Sequence, residues 1–220
     1  MLGRVFRYQG WLWRALNTLT DIMALSVLWF LFSLPVLTLG AATAALYDSV
    51  VRCIRYKQPR PYARFFRTFK NELVPGALLT LLWGAVAALG LWMLTLLRQY
   101  SAASPSAGAA GAAYYVALVV PLGAACWVFP TLSRCALGFG ALNATALKLA
   151  VGHLPSTVIL VLMTAELARL SVRWLYPLAF MPAVMMLLWS LFTEPVFKKH
   201  GAGISAPEDE DGVGAPYGGE

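Results

Sequence analysis

The chain has 220 residues, 60% of them hydrophobic and only 12% charged, where soluble domains carry roughly 25% charged residues. That excludes a soluble globular domain, and the continuous rather than alternating apolar runs disfavour a β-barrel. The net charge of +7 sits at the ends of those runs, as in membrane proteins that fix their orientation this way, so nucleic acid is not an expected partner.

From the N-terminus, residues 4–20 (RVFRYQGWLWRALNTLT) place Phe6, Trp13, Leu16 and Leu19 near helical spacing. They predict an interfacial helix feeding the first span. Arg4, Arg7 and Arg14 ahead of an apolar run resemble a signal peptide. The long charged region, and Asp21 and Pro35 framing the apolar segment, favour an uncleaved span from about Ile22 to Leu34 instead. Further spans are expected over about Val74–Leu97, Ala113–Leu132, Pro155–Leu170 and Trp174–Phe192. Ser101–Gly111 (SAASPSAGAAG) reads as a small-residue loop. The Gly/Pro-rich acidic stretch 200–220 reads as a disordered tail behind a single transmembrane bundle over 1–199.

The segment Leu31–Tyr56, LFSLPVLTLGAATAALYDSVVRCIRY, poses the topological question. From Val36 to Val51 a helix is about 24 Å long, marginal for a span. Gly40/Ala44 and Ala41/Ala45 are small-xxx-small pairs suited to tight helix packing. Asp48, Arg52 and Arg55, at i, i+4 and i+7, would equally suit a helix lying on the surface.

If the segment crosses, the chain has six spans and both termini are cytoplasmic. Only Arg98, Arg169 and Arg173 then lie outside, leaving 14 of the 17 Lys/Arg inside. With five spans the first three arginines move outside as well. The positive-inside rule favours six. A short repeat, FSLPVLT at 32–38 against VFPTLS at 128–133, argues for five. The expected fold is therefore an all-α polytopic transmembrane helical bundle of five or six spans, six favoured, with a Pro-broken first hairpin.

The block SLPVLTLGAATAALYDSVVRCIR (33–55), followed by ARFFRTFKNELVPGALL (63–79) and VFPTLSR (128–134), resembles the YesL-like family of bacterial integral membrane proteins, a domain of unknown function. The resemblance covers roughly residues 10–195 and is sharpest in 33–79. It implies a multi-pass protein of the bacterial cytoplasmic (inner) membrane. Genes of that family often neighbour carbohydrate-uptake systems, ABC-type sugar importers in particular. No site residue comes with the resemblance.

Ionisable groups inside spans are the first candidates for function, since a charge at mid-bilayer costs at least about 2.5–3.5 kcal/mol. Glu166, Arg169 and Arg173 share one helical face, to line a cavity or to form a structural ion pair. Pro35, Thr38 and Gly40 form a candidate broken-helix site, because a proline frees backbone groups that transporters use for substrate. Arg52, Arg55, Lys57, Arg60, Arg64, Arg67 and Lys70 offer a basic surface to anionic lipid or an acidic partner. Trp29, Trp83, Trp92, Trp127, Trp174 and Trp189 would stack on sugar rings or pack the bundle. Glu194 reads as a helix-terminal anchor, and Cys53, Cys126 and Cys135 as packing residues.

No P-loop and no HExxH is present, and His153 and His200 are the only histidines. The expectation is a protein that is no enzyme and uses no cofactor or metal. Its partners would be the bilayer and the membrane subunits of an ABC-type sugar importer, to whose carbohydrate uptake it would be accessory. The alternative is a small solute transporter using the broken first span and the Glu166/Arg169 face.

Overall fold

The structure, a computed structural model, describes residues 9–101, 105–135, 137–173 and 180–199. Eight α-helices are described: α1 (Gln9–Ser33), α2 (Leu39–Ser49), α3 (Pro61–Asn71), α4 (Leu73–Ser101), α5 (Pro105–Arg134), α6 (Phe139–Gly152), α7 (Leu154–Arg173) and α8 (Met181–Lys199). A 3-10 turn, Val36–Thr38, opens α2, and a π-helical turn, Val50–Arg55, extends it. The chain is all-α over these residues, as its composition predicts.

Four segments are long and apolar enough to cross a membrane: Leu16–Ser33, Val36–Arg55, Leu73–Gln99 and Ala113–Arg134. Helices α6 and α7, bent by 102° at their junction, add a fifth if the pair is one broken span. Pro155–Leu170 is thus the second arm of that pair. The remaining expected span, Trp174–Phe192, begins outside the described residues. Its described part lies in α8, which ends in Glu194, Lys198 and Lys199.

One local expectation is corrected. Residues 105–111, read as loop, are the first turns of α5. Alanine is the best helix former, and Pro105 stands at the first helical position, where its missing N–H costs nothing. The described part of the N-terminal segment, from Gln9, is continuous with the first span in one helix. The acidic tail lies outside the described residues.

Helix α2 sits at the centre, with Gly40 through Val51 all buried. Its small residues explain how. A Cβ on Gly40 would overlap Thr80, the Gly76 carbonyl and the Phe129 ring, and one on Gly76 would stand 2.6 Å from the Ala41 nitrogen. The two backbones therefore touch, which only glycine permits, and Gly40 N–H donates to Thr80 Oγ1 at 2.9 Å. These contacts fall in the first third of α4. The α1–α2 turn thus lies beside the start of α4, and the distal half of α4 continues along α5, where Tyr114 donates to the Gly90 carbonyl.

Amphipathic α3 closes one end of the bundle. Phe65 and Phe69 are buried and cluster with Phe32 of α1. Its Tyr62 hydroxyl donates to Asp21 Oδ1 at 2.7 Å. That bond holds the phenol proton and pushes its pKa up to about 12.

Candidate functional site

The C-terminal ends of α2, α5 and α8 converge at the end covered by α3, and there the bundle buries ions. Asp48, on the last turns of α2, is 2% exposed. Its Oδ1 accepts from Arg52 Nε at 2.9 Å, and its Oδ2 from Arg64 Nε at 2.8 Å and Thr68 Oγ1 at 3.0 Å. Arg134, the last residue of α5, has Nη1 3.7 Å from Asp48 Oδ1 and Nη2 2.9 Å from Glu194 Oε1 on α8. The side chains of Arg134 and Glu194 are each 1% exposed.

The Tyr47 ring lies 5.4 Å from the Arg134 guanidinium carbon, within cation–π range. Its hydroxyl is 2.7 Å from Thr193 Oγ1 and donates to Glu194 Oε1 at 3.2 Å. Tyr56 donates to Glu194 Oε2 at 3.3 Å. The cluster thus ties α2, α3, α5 and α8 through two carboxylates and three arginines.

The electrostatics follow from the helix ends. Partial negative charge at a helix C-terminus favours a cation and disfavours a carboxylate. Arg134 suits its place; Asp48 and Glu194 lie more than a turn before their helical ends and persist in burial because cations surround them. From the π turn Arg52 reaches back one turn to Asp48, and Arg55 crosses to α8. There Arg55 Nη1 donates to the carbonyl and, at 2.8 Å, to the hydroxyl of Ser190. Among the described residues none of the Arg134 N–H groups is aligned on an acceptor, so its attraction to Glu194 is mainly coulombic rather than a directed hydrogen bond.

The sequence candidates distribute as follows. Glu166 and Arg169 do meet, Arg169 Nη1 donating to Glu166 Oε1 at 2.9 Å, but on the outer face of α7, 70% and 78% exposed. Arg173 ends the same helix. Pro35 bounds the turn into α2, and Thr38 Oγ1 bridges the carbonyls of Phe32 and Pro35 at 2.6 and 2.7 Å. The groups freed at the break are thus taken up locally, and Gly40 is spent on the α4 contact.

The basic segment divides. Arg52, Arg55 and Arg64 are engaged inward, whereas Lys57, Arg60, Arg67 and Lys70 are exposed. Trp29, Trp83 and Trp127 give their indole N–H groups to Thr43, Asn143 and Thr157 of neighbouring helices. Trp92 is exposed and Trp189 buried, and Trp174 lies outside the described residues.

From the sequence Asp48 was visible as sharing a face with Arg52 and Arg55, Glu194 as a helix-terminal anchor, and Arg134 only as a charge to be counted. Their shared signal was that each stands near the basic end of its helix.

Residues 22–95 match the model of a family described as a protein of unknown function, DUF624. The YesL-like family carries that domain, in agreement with the resemblance over 33–79. No curated protein and no solved structure matches the chain. The matched segment supplies Asp48, Arg52, Arg64 and Thr68 to the cluster, while Arg134 and Glu194 come from beyond it.

Proposed function

We propose that the chain is a non-enzymatic protein of the bacterial cytoplasmic membrane. Its charge-cluster end faces the cytoplasm, and it assists carbohydrate import by packing against the membrane subunits of an ABC-type sugar importer. The link to carbohydrate uptake comes from the YesL-like resemblance alone. The orientation rests on the positive-inside rule, since Arg52 to Lys70, Arg134, Lys198 and Lys199 gather at one end.

The observation that carries the packing role is the outer face of α7. There Leu162, 59% exposed, adjoins the exposed Glu166–Arg169 pair. Lipid tails offer such a pair no further hydrogen-bond partner. A neighbouring protein helix would supply both polar partners and close apolar contact.

The test is affinity recovery of the whole chain from native membranes in gentle detergent, with partners identified by mass spectrometry. Sugar-importer membrane subunits should come down in near-stoichiometric amount and be lost with Glu166→Leu/Arg169→Leu. Recovery of the chain alone, together with solute uptake by the chain reconstituted by itself, would overturn this reading in favour of an independent transporter.

A further inference from the structure

One surface at the cluster end gathers cations that pair with no acid among the described residues. Tyr56, at the end of the π turn, is 37% exposed. Two cations from different elements approach its ring: Arg55, with Cζ 5.9 Å from the centroid, and Lys198 of α8, with Nζ 5.7 Å from it. The two charges are therefore at most about 12 Å apart. Arg55 is held in place by Ser190. Lys198 lies in the last turn of α8, where the helix dipole favours a cation.

The loop that follows is strained. Lys57 and Arg60 both have left-handed backbones, with φ of 57° and 63°. For a non-glycine residue that conformation costs roughly 1–2 kcal/mol. Arg60 also precedes Pro61, a position that disfavours compact backbone conformations. Both side chains are exposed, and among the described residues neither they nor Lys198 pairs with an acid. The left-handed Lys57 ends the π turn, where Gln58 N–H donates to the Arg52 carbonyl at 3.0 Å, and Arg60 opens α3, so this turn holds two more exposed cations in the loop that follows Tyr56. An anion at the site would offset the repulsion.

We propose that Tyr56, Arg55, Lys57, Arg60 and Lys198 form a headgroup site for an anionic phospholipid of the surrounding membrane. The guanidinium and ammonium groups would receive the phosphate, with the Tyr56 ring at the depth of the glycerol backbone. A lipid rather than an acidic protein is favoured by the flanking surface. Tyr62, Phe66 and Leu73 are exposed along α3 and the start of α4, amphipathic neighbours suited to the boundary between headgroups and acyl chains. The proposal redraws the basic surface read from sequence: Arg52 and Arg64 leave it for Asp48, and Lys198 joins it.

The experiment is native mass spectrometry of the full chain released from bilayers of equal phosphatidylglycerol and phosphatidylcholine. The wild type should retain phosphatidylglycerol selectively. Lys57→Gln/Arg60→Gln/Lys198→Gln should reduce that retention about tenfold. Lys70→Gln/Lys148→Gln/Arg98→Gln, with the same change of net charge elsewhere, should stay within about twofold of wild type. Arg60→Gly should raise the melting midpoint while lowering retention, because it releases strain and removes a charge together.

Equal losses in the two triple variants would reduce the effect to overall charge and overturn the site. So would undiminished retention in the first triple variant with its melting midpoint unchanged. Displacement of the lipid by soluble polyglutamate, but not by inorganic phosphate, would replace the lipid with an acidic protein partner.

Discussion

Arg134 and Glu194 face each other at 2.9 Å with both side chains shut away from solvent, one closing α5 and the other near the end of α8. Breaking a buried pair from one side leaves an uncompensated charge and costs about 3–5 kcal/mol, whereas replacing both partners with apolar groups is often tolerated. Arg134→Met is therefore expected to destabilise the chain by about that amount. Arg134→Met/Glu194→Leu should recover much of the loss. Denaturation of the purified chain in detergent measures both; a double variant no better than the single one would mean that Asp48, not Glu194, is the main counter-ion of Arg134.

The central crossing of α2 and α4 makes a second prediction. A Cβ on Gly40 meets the Gly76 carbonyl, Thr80 and Phe129 at once, and the Gly76 backbone cannot yield. Overpacking of this kind costs typically about 1–3 kcal/mol, occasionally more. Gly40→Ala should fall in that range, and Gly40→Val should abolish folding. Gly84, which has open space around it, supplies the control: Gly84→Ala should be neutral or slightly stabilising, since alanine favours helix by about 1 kcal/mol over glycine.

Much of this architecture was legible in the sequence, and the reasons are local. Apolar runs of spanning length, small residues in GAATAA and prolines at helix starts each act within a few residues. The alanine-rich stretch at 105–111 misled because its serines and glycines suggested a polar, flexible loop where alanine propensity carries the helix. The charge cluster was not legible, because Asp48, Arg134 and Glu194 come from distant segments and pair only once three helix ends meet. The pairing of Glu166 with Arg169 was legible from their spacing. Which way that pair points was not, since it depends on which side of α7 lies against α5.

Glu72, between α3 and α4, gives a pH-dependent prediction. Partial burial, and then the negative charge of Asp48, push its carboxyl above the ordinary glutamate range. The folded chain therefore holds this proton more tightly than the unfolded chain does. The charged form weakens the fold at neutral pH, and the penalty fades as pH falls through the raised folded value towards the unfolded one. Glu72→Gln should raise the melting midpoint at neutral pH, with an advantage that shrinks on acidification. An advantage of the same size at every pH would show that the gain lies in packing rather than in charge.

The exposed pair on α7 separates a structural role from an interfacial one. Exposed ion pairs contribute about 0–1 kcal/mol to the stability of the chain that bears them. Glu166→Leu/Arg169→Leu should thus leave the melting midpoint of the isolated chain nearly unchanged, or raise it, since leucine suits a lipid-facing position better than either charge. If α7 docks against another membrane helix, the same variant should lose that partner, because the polar groups opposite the pair would be left buried and unpaired. Energy transfer between the labelled chain and a labelled importer subunit in one bilayer reads the second effect, and thermal denaturation in detergent the first. A large drop in melting midpoint would assign the pair to the internal stability of the bundle and take α7 out of the interface.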